Sequence, residues 1–140
     1  MPNLFIEKSI EIAVPAIDVW QVFVDPELSR KAGGEYASEW ESGSLIVRKD
    51  ADGKTLSSGK ILKIEAGKML KHNVFKDVDG LQTLASVITY ELRGRQDGKT
   101  TLLARESFAE AQDGKSFAEA DKRWDEALAR LKEIAETLKK

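Results

Sequence analysis

Cysteine is absent from the chain, which excludes disulfide cross-links, a thiolate nucleophile and cysteine-ligated zinc together. Histidine occurs once, as His72, so a metal site would need carboxylates alone beside it; no metal and no cofactor are expected. No run of about 18 apolar residues is present, the length a membrane-spanning helix requires, and Glu7 and Lys8 interrupt the amino terminus where a signal peptide would be apolar. The expected location is cytoplasmic. A dominant charge is missing too, with 22 Lys and Arg against 24 Asp and Glu, so no nucleic-acid partner is expected. Gly33-Gly34 lacks the lysine and the strand-to-helix setting of a phosphate loop, which argues against nucleotide binding.

What the chain does contain is a balance of 41% hydrophobic and 33% charged residues over 140 positions. A chain of that size buries about two-thirds of its unfolded surface, enough for a core without staples. Internal repeats and linker-like composition are lacking, so residues 1–140 are expected to form one domain.

Leu4, Ile6, Ile10, Ile12 and Val14 share even positions, broken only by Lys8, and this alternation predicts a half-buried strand. Pro15 and Asp18 suit the start of a helix whose stripe is Ile17, Trp20, Phe23 and Val24. Asp25-Pro26 caps a second short helix, and Gly33-Gly34 is expected to stop it. Strands are then expected at 36–41, 44–50, 55–66, 69–76, 84–93 and 100–108, with turns at Asp52-Gly53, Asp79-Gly80 and Asp97-Gly98. From Ser116 the period changes. Ser116-Phe117-Ala118-Glu119 matches a capping box, and residues 117–138 carry an apolar stripe that includes Ala120, Trp124, Leu128, Leu131 and Ala135. Glu119 with Arg123, Glu126 with Arg130 and Glu136 with Lys140 stand four apart, which assigns them to an exposed outer face.

These elements predict an α+β chain in which a long C-terminal helix covers a curved antiparallel sheet and two short helices close one end. Such a sandwich leaves room for a cavity between its layers.

Four pieces in order carry a family resemblance: Ile12-Ala13-Val14-Pro15-Ala16-Ile17-Asp18-Val19-Trp20, then Ser58-Gly59-Lys60-Ile61-Leu62-Lys63-Ile64-Glu65, then Ser86-Val87-Ile88-Thr89-Tyr90-Glu91-Leu92 with Gly98-Lys99-Thr100-Thr101-Leu102, and finally Arg123-Trp124 ahead of Leu128, Leu131 and Lys132. The chain resembles the helix-grip superfamily of START-like and birch-pollen-allergen-like (SRPBCC-type) domains, and within it the homologues of the heat-shock-protein-90 ATPase activator. It departs from the pattern at Ser29-Arg30-Lys31-Ala32, where a tryptophan is common, and at Arg123, where relatives often carry glycine. The superfamily includes lipid carriers, hormone receptors and cyclases, so the resemblance implies a fold and a cavity rather than one activity.

The lining expected for a small apolar or amphipathic ligand is Trp20, Phe23, Leu62, Ile64, Leu70, His72, Ile88, Tyr90, Ala104, Glu106 and Trp124. His72 alternates with Leu70 and Val74 on the inward face of its strand and, with an ordinary pKa of about 6.5, suits general acid or base work; the simpler reading is a core histidine with a hydrogen bond. Glu106 shares a face with Leu102, Ala104 and Phe108, and paired with His72 or an arginine inside the cavity it would make the best site candidate; the simpler reading places it at its strand's end, reaching solvent. Tyr90 and Trp124 either contact a ligand or pack the core, and Trp40 is a further candidate. No catalytic residue is assigned. The readings are a ligand-binding domain first, a cochaperone-like protein-interaction module second, and an enzyme acting through His72 or Glu106 third.

Overall fold

The alternation at the amino terminus becomes β1 (Asn3–Ile12) in a computed structural model that describes residues 3–31, 35–50, 52–78 and 80–137. Two short helices follow, α1 (Ala16–Val24) and α2 (Pro26–Lys31), and then β2 (Glu35–Ser38), β3 (Leu45–Lys49), β4 (Thr55–Glu65), β5 (Met69–Val78), β6 (Leu81–Gly94) and β7 (Thr100–Gln112). Helix α3 (Gly114–Thr137) ends the described chain. The Gly33-Gly34 stop, Asp79 and Leu138 lie outside the described residues.

All seven strands form one antiparallel sheet in the order β1-β7-β6-β5-β4-β3-β2. The first strand pairs with the last, Ile6 opposite Glu106 and Ile12 opposite Thr100. Because successive side chains alternate in direction, cross-strand neighbours form rows on the inner face. One row runs Ile6, Glu106, Ile88, His72, Ile61; the next runs Lys8, Ala104, Tyr90, Leu70, Ile64. At about 1.5 Å per residue, α3 is about 36 Å long and can cross those rows. It buries Ala120, Trp124, Leu128, Leu131 and Ala135 against them. The result is the α+β helix-grip architecture.

Lys8, the one break in the alternation of β1, faces α3 and pairs with Asp121 at 2.8 Å and Asp125 at 3.2 Å. Farther along, Lys132 donates to the Glu11 carbonyl at 2.7 Å and the Ala13 amide donates to Glu136 at 2.9 Å. Polar contacts thus flank the apolar stripe and fix the helix along β1.

Two local readings are corrected. The start of α3 lies upstream of the Ser116 capping box: the Ser116 amide donates to Asp113 Oδ1 at 2.7 Å, so Asp113 caps the helix. An ionised carboxylate is the stronger acceptor for an amide at the positive end of a helix, and these bonds hold the Asp113 carboxyl below its ordinary pKa. Ile17 is 55% exposed; α1 buries Val19, Trp20, Val22 and Phe23 instead. The capping of α2 matches the expectation, with the Glu27 amide donating to Asp25 Oδ1 at 3.0 Å.

Candidate functional site

A cavity of about 350 Å³ lies between α3 and the sheet. Its floor is the row His72, Ile88 and Glu106, contributed by β5, β6 and β7, with Tyr90 beside it. Trp124, Ala127, Leu128 and Leu131 of α3 form the roof. Phe23 of α1, Ser29 of α2 and Tyr36 of β2 close one end, and Arg48 of β3 and Ser57 of β4 reach in from the far strands.

His72 is 4% exposed. Its Nδ1 stands 3.0 Å from the Asn73 carbonyl oxygen, an acceptor, so Nδ1 carries the proton and Nε2 keeps its lone pair. That lone pair is buried and has no hydrogen-bond partner. Burial lowers the pKa of His72 below its ordinary value, outweighing the opposite pull of the Asn73 carbonyl and of Glu106. At neutral pH the ring is therefore an uncharged acceptor on the cavity floor.

The Asn73 carbonyl is held by an irregular stretch of β4 and β5. Ile61 pairs with His72 and Ser58 with Phe75, so Gly59 and Lys60 cross the Asn73 backbone between those pairs. A Cβ on Gly59 would lie 1.8 Å from the Asn73 carbonyl oxygen. Only a residue without a side chain permits this approach, and the Asn73 side-chain oxygen satisfies the Lys60 amide at 2.7 Å.

Aromatic rings surround His72. Tyr90 stacks on it at 6.5 Å and Tyr36 meets it edge-on at 6.5 Å, while Phe23 and Trp124 pack against Tyr90 at 4.7 and 5.8 Å. The two tyrosine hydroxyls stand 3.5 Å apart. Burial, with Tyr36 nearby, raises the Tyr90 pKa well above its ordinary value, so Tyr90 remains a neutral phenol. Trp40 packs on Tyr36 at 6.4 Å and does not reach the cavity. Its backbone is left-handed, with φ of 58°, a conformation that a bulky residue adopts at some cost.

Glu106 accepts a hydrogen bond from Ser86 Oγ at 2.7 Å and another from Trp124 Nε1 at 2.9 Å. It sits in mid-strand, because β7 continues to Gln112, and this corrects its placement at a strand end. Ile88 separates it from His72, which leaves their backbones about 10 Å apart. No hydrogen bond joins the two.

Of the residues singled out from the sequence, Phe23, His72, Ile88, Tyr90, Glu106 and Trp124 surround the cavity. Trp20, Leu70 and Ala104 are buried in the core without reaching it, and Ile64 is half-buried against that core. Leu62 points outward and is 48% exposed. A bulge between Ile61 and Lys63 inserts one residue into β4 and shifts the alternation. Ile61 and Ile64 consequently both face inward, while Leu62 does not.

The rim is more polar than expected. Arg123, Glu126 and Arg130 are exposed, as expected, and they also border the cavity, because the buried stripe of α3 leaves one flank turned toward the far strands. The expected pairs Glu119 with Arg123 and Glu126 with Arg130 do not form, and neither arginine has an ion pair among the described residues. Tyr36, Arg48, Ser57 and Ser29 escaped the sequence reading, since their strands and helix were visible but their convergence was not. Among the described residues no group of three His, Asp or Glu side chains is placed to hold a metal ion, and no helix is long and apolar enough to cross a membrane.

Comparison with known proteins agrees with this architecture. No curated protein matches the chain. Among solved structures, a Mesorhizobium loti protein is 17% identical with a TM-score of 0.77, covering 93% of this chain and 95% of its own. A Cytophaga hutchinsonii protein is 24% identical with a TM-score of 0.76, covering 98% and 97%. A putative protein in the dynemicin biosynthetic locus is 19% identical with a TM-score of 0.81 over 97% of this chain, which spans 48% of that one. At these identities the likeness is one of fold. Residues 13–136 match the sequence pattern of the Activator of Hsp90 ATPase homolog 1-like proteins, and the chain belongs to that family.

Proposed function

We propose that the chain is a binding domain that holds one small amphipathic molecule in the cavity between α3 and the sheet. The observation that carries this reading is His72, whose side chain lines the cavity and whose buried Nε2 has no hydrogen-bond partner. A polar atom left unsatisfied in a packed core costs about 1–3 kcal/mol, whereas on a cavity floor a ligand can satisfy it. The volume supports the same reading, since small-molecule sites begin at about 300 Å³ and this cavity measures about 350 Å³. Aromatic side chains with a few convergent polar groups are the usual lining of such sites.

Native mass spectrometry of freshly purified protein tests the proposal. The expected spectrum contains a stoichiometric adduct that disappears on denaturation and is lost in Ala127→Trp, which fills the roof. Bare protein, combined with an unchanged spectrum after incubation with amphipathic dyes such as anilinonaphthalene sulfonate, would overturn it.

A further inference from the structure

Given that the cavity is a ligand site, we infer that its ligand is an amphipathic organic anion, seated with a hydrogen-bond donor against His72 and its acidic group between Arg123 and Arg130. The floor sets the first half of this polarity. His72 Nε2 can only accept, so whatever meets it brings an N–H or O–H group. Glu106 lies on the same floor, with each oxygen already accepting a protein donor. An acidic group placed there would face a carboxylate at low dielectric, which is strongly unfavourable.

The rim sets the other half. Arg123 and Arg130 are seven residues apart, two turns on one side of α3 and about 10 Å along it, and both border the cavity. Neither is engaged by Glu119 or Glu126, despite the helical spacing that favours pairing. Arg48 enters from β3 across the opening. Among the described residues that border the cavity on α3, Arg123 and Arg130 stand against the single acid Glu126. Guanidinium groups suit a carboxylate because they can present two parallel donors to it. Between floor and rim the lining includes Tyr36, Tyr90 and Trp124, aromatic side chains that suit an apolar body. A molecule entering the other way round would put its anion beside Glu106 and leave His72 Nε2 without a donor. The cavity therefore selects one orientation as well as one chemical class.

Calorimetric titration with three compounds reads this directly. Para-hydroxycinnamate has the hydroxyl donor and the carboxylate, its methyl ester lacks the charge, and cinnamate lacks the donor. The expected result is binding of para-hydroxycinnamate about tenfold tighter than either relative. The double variant Arg123→Gln, Arg130→Gln removes the advantage over the ester, and His72→Phe removes the advantage over cinnamate. Should His72→Phe fail to fold, the comparison of the three compounds on the unaltered protein still decides. Equal affinities for all three overturn the inference while leaving the cavity a ligand site. Binding of none also overturns it, and the ligand-site reading falls with it only if native mass spectrometry shows bare protein.

Discussion

Trp124 Nε1 donates a 2.9 Å hydrogen bond to Glu106 Oε1, tying the roof of the cavity to its floor through one pair of side chains. Ser86 holds the other carboxylate oxygen at 2.7 Å. The helix that covers the sheet is thus positioned over the cavity by a polar contact as well as by its apolar stripe.

Replacing Trp124 with phenylalanine keeps a ring against Tyr90 and removes the donor. The expected loss of stability is about 1.5–3 kcal/mol, the range for a hydrogen bond to a charged group. Urea unfolding measures it. Glu106→Leu should cost more, because both Ser86 Oγ and Trp124 Nε1 then lose their acceptor. Equal stabilities of wild type and Trp124→Phe would show that the bond contributes nothing.

His72 titrates below its ordinary pKa of 6.5, with burial as the main cause. A depressed folded-state pKa means that the unfolded chain binds the proton more readily. The stability tied to neutral His72 is therefore fully present above about pH 6.5, falls as the pH drops below that value, and is lost through the folded-state pKa. Because the chain has one histidine, its ring resonances in an NMR titration report this group alone. A midpoint at or above 6.5 would contradict the neutral acceptor.

Gly59→Ala should be strongly destabilising, by about 2–3 kcal/mol, the upper part of the overpacking range. The added carbon would stand 1.8 Å from the Asn73 carbonyl, and the strand must move to admit it. That carbonyl also fixes the His72 tautomer, so ligand affinity should fall along with stability. Gly94→Ala is the control, since an added Cβ there meets nothing within 4 Å. Thermal unfolding of both variants provides the check.

Thr100 is fully buried and donates its hydroxyl to the Val14 carbonyl at 2.7 Å, where β1 leaves the sheet for α1. Thr100→Val conserves shape and removes the donor, at an expected cost of about 1–3 kcal/mol for the unsatisfied carbonyl. Denaturant unfolding would show it as a lowered midpoint with an unchanged slope.

Much of this molecule is legible in its linear pattern because strand and helix periods are local properties. The even positions of β1, the Asp25 cap and the stripe from Ala120 to Ala135 each follow from residues a few places apart, and they lead to a helix lying on an antiparallel sheet. His72, Tyr90 and Trp124 were traceable for the same reason: each lies on the inward face of its own element.

The departures arise where an element's periodicity is interrupted or where separate elements meet. Leu62 follows the parity of Ile64, but a one-residue bulge at the β4 and β5 pairing turns it outward, and no local signal marks that bulge. Arg123 and Arg130 have the spacing of a solvated, ion-paired face; only the placement of α3 against the sheet turns them toward an opening. Glu106 depends on residues 18 and 20 positions away for its partners. Sequence by itself determined which faces must be covered, because apolar burial repeats with the period of each element. Tertiary structure alone decided which polar groups share the space beneath that cover, because their convergence depends on register, bulges and helix rotation across distant parts of the chain.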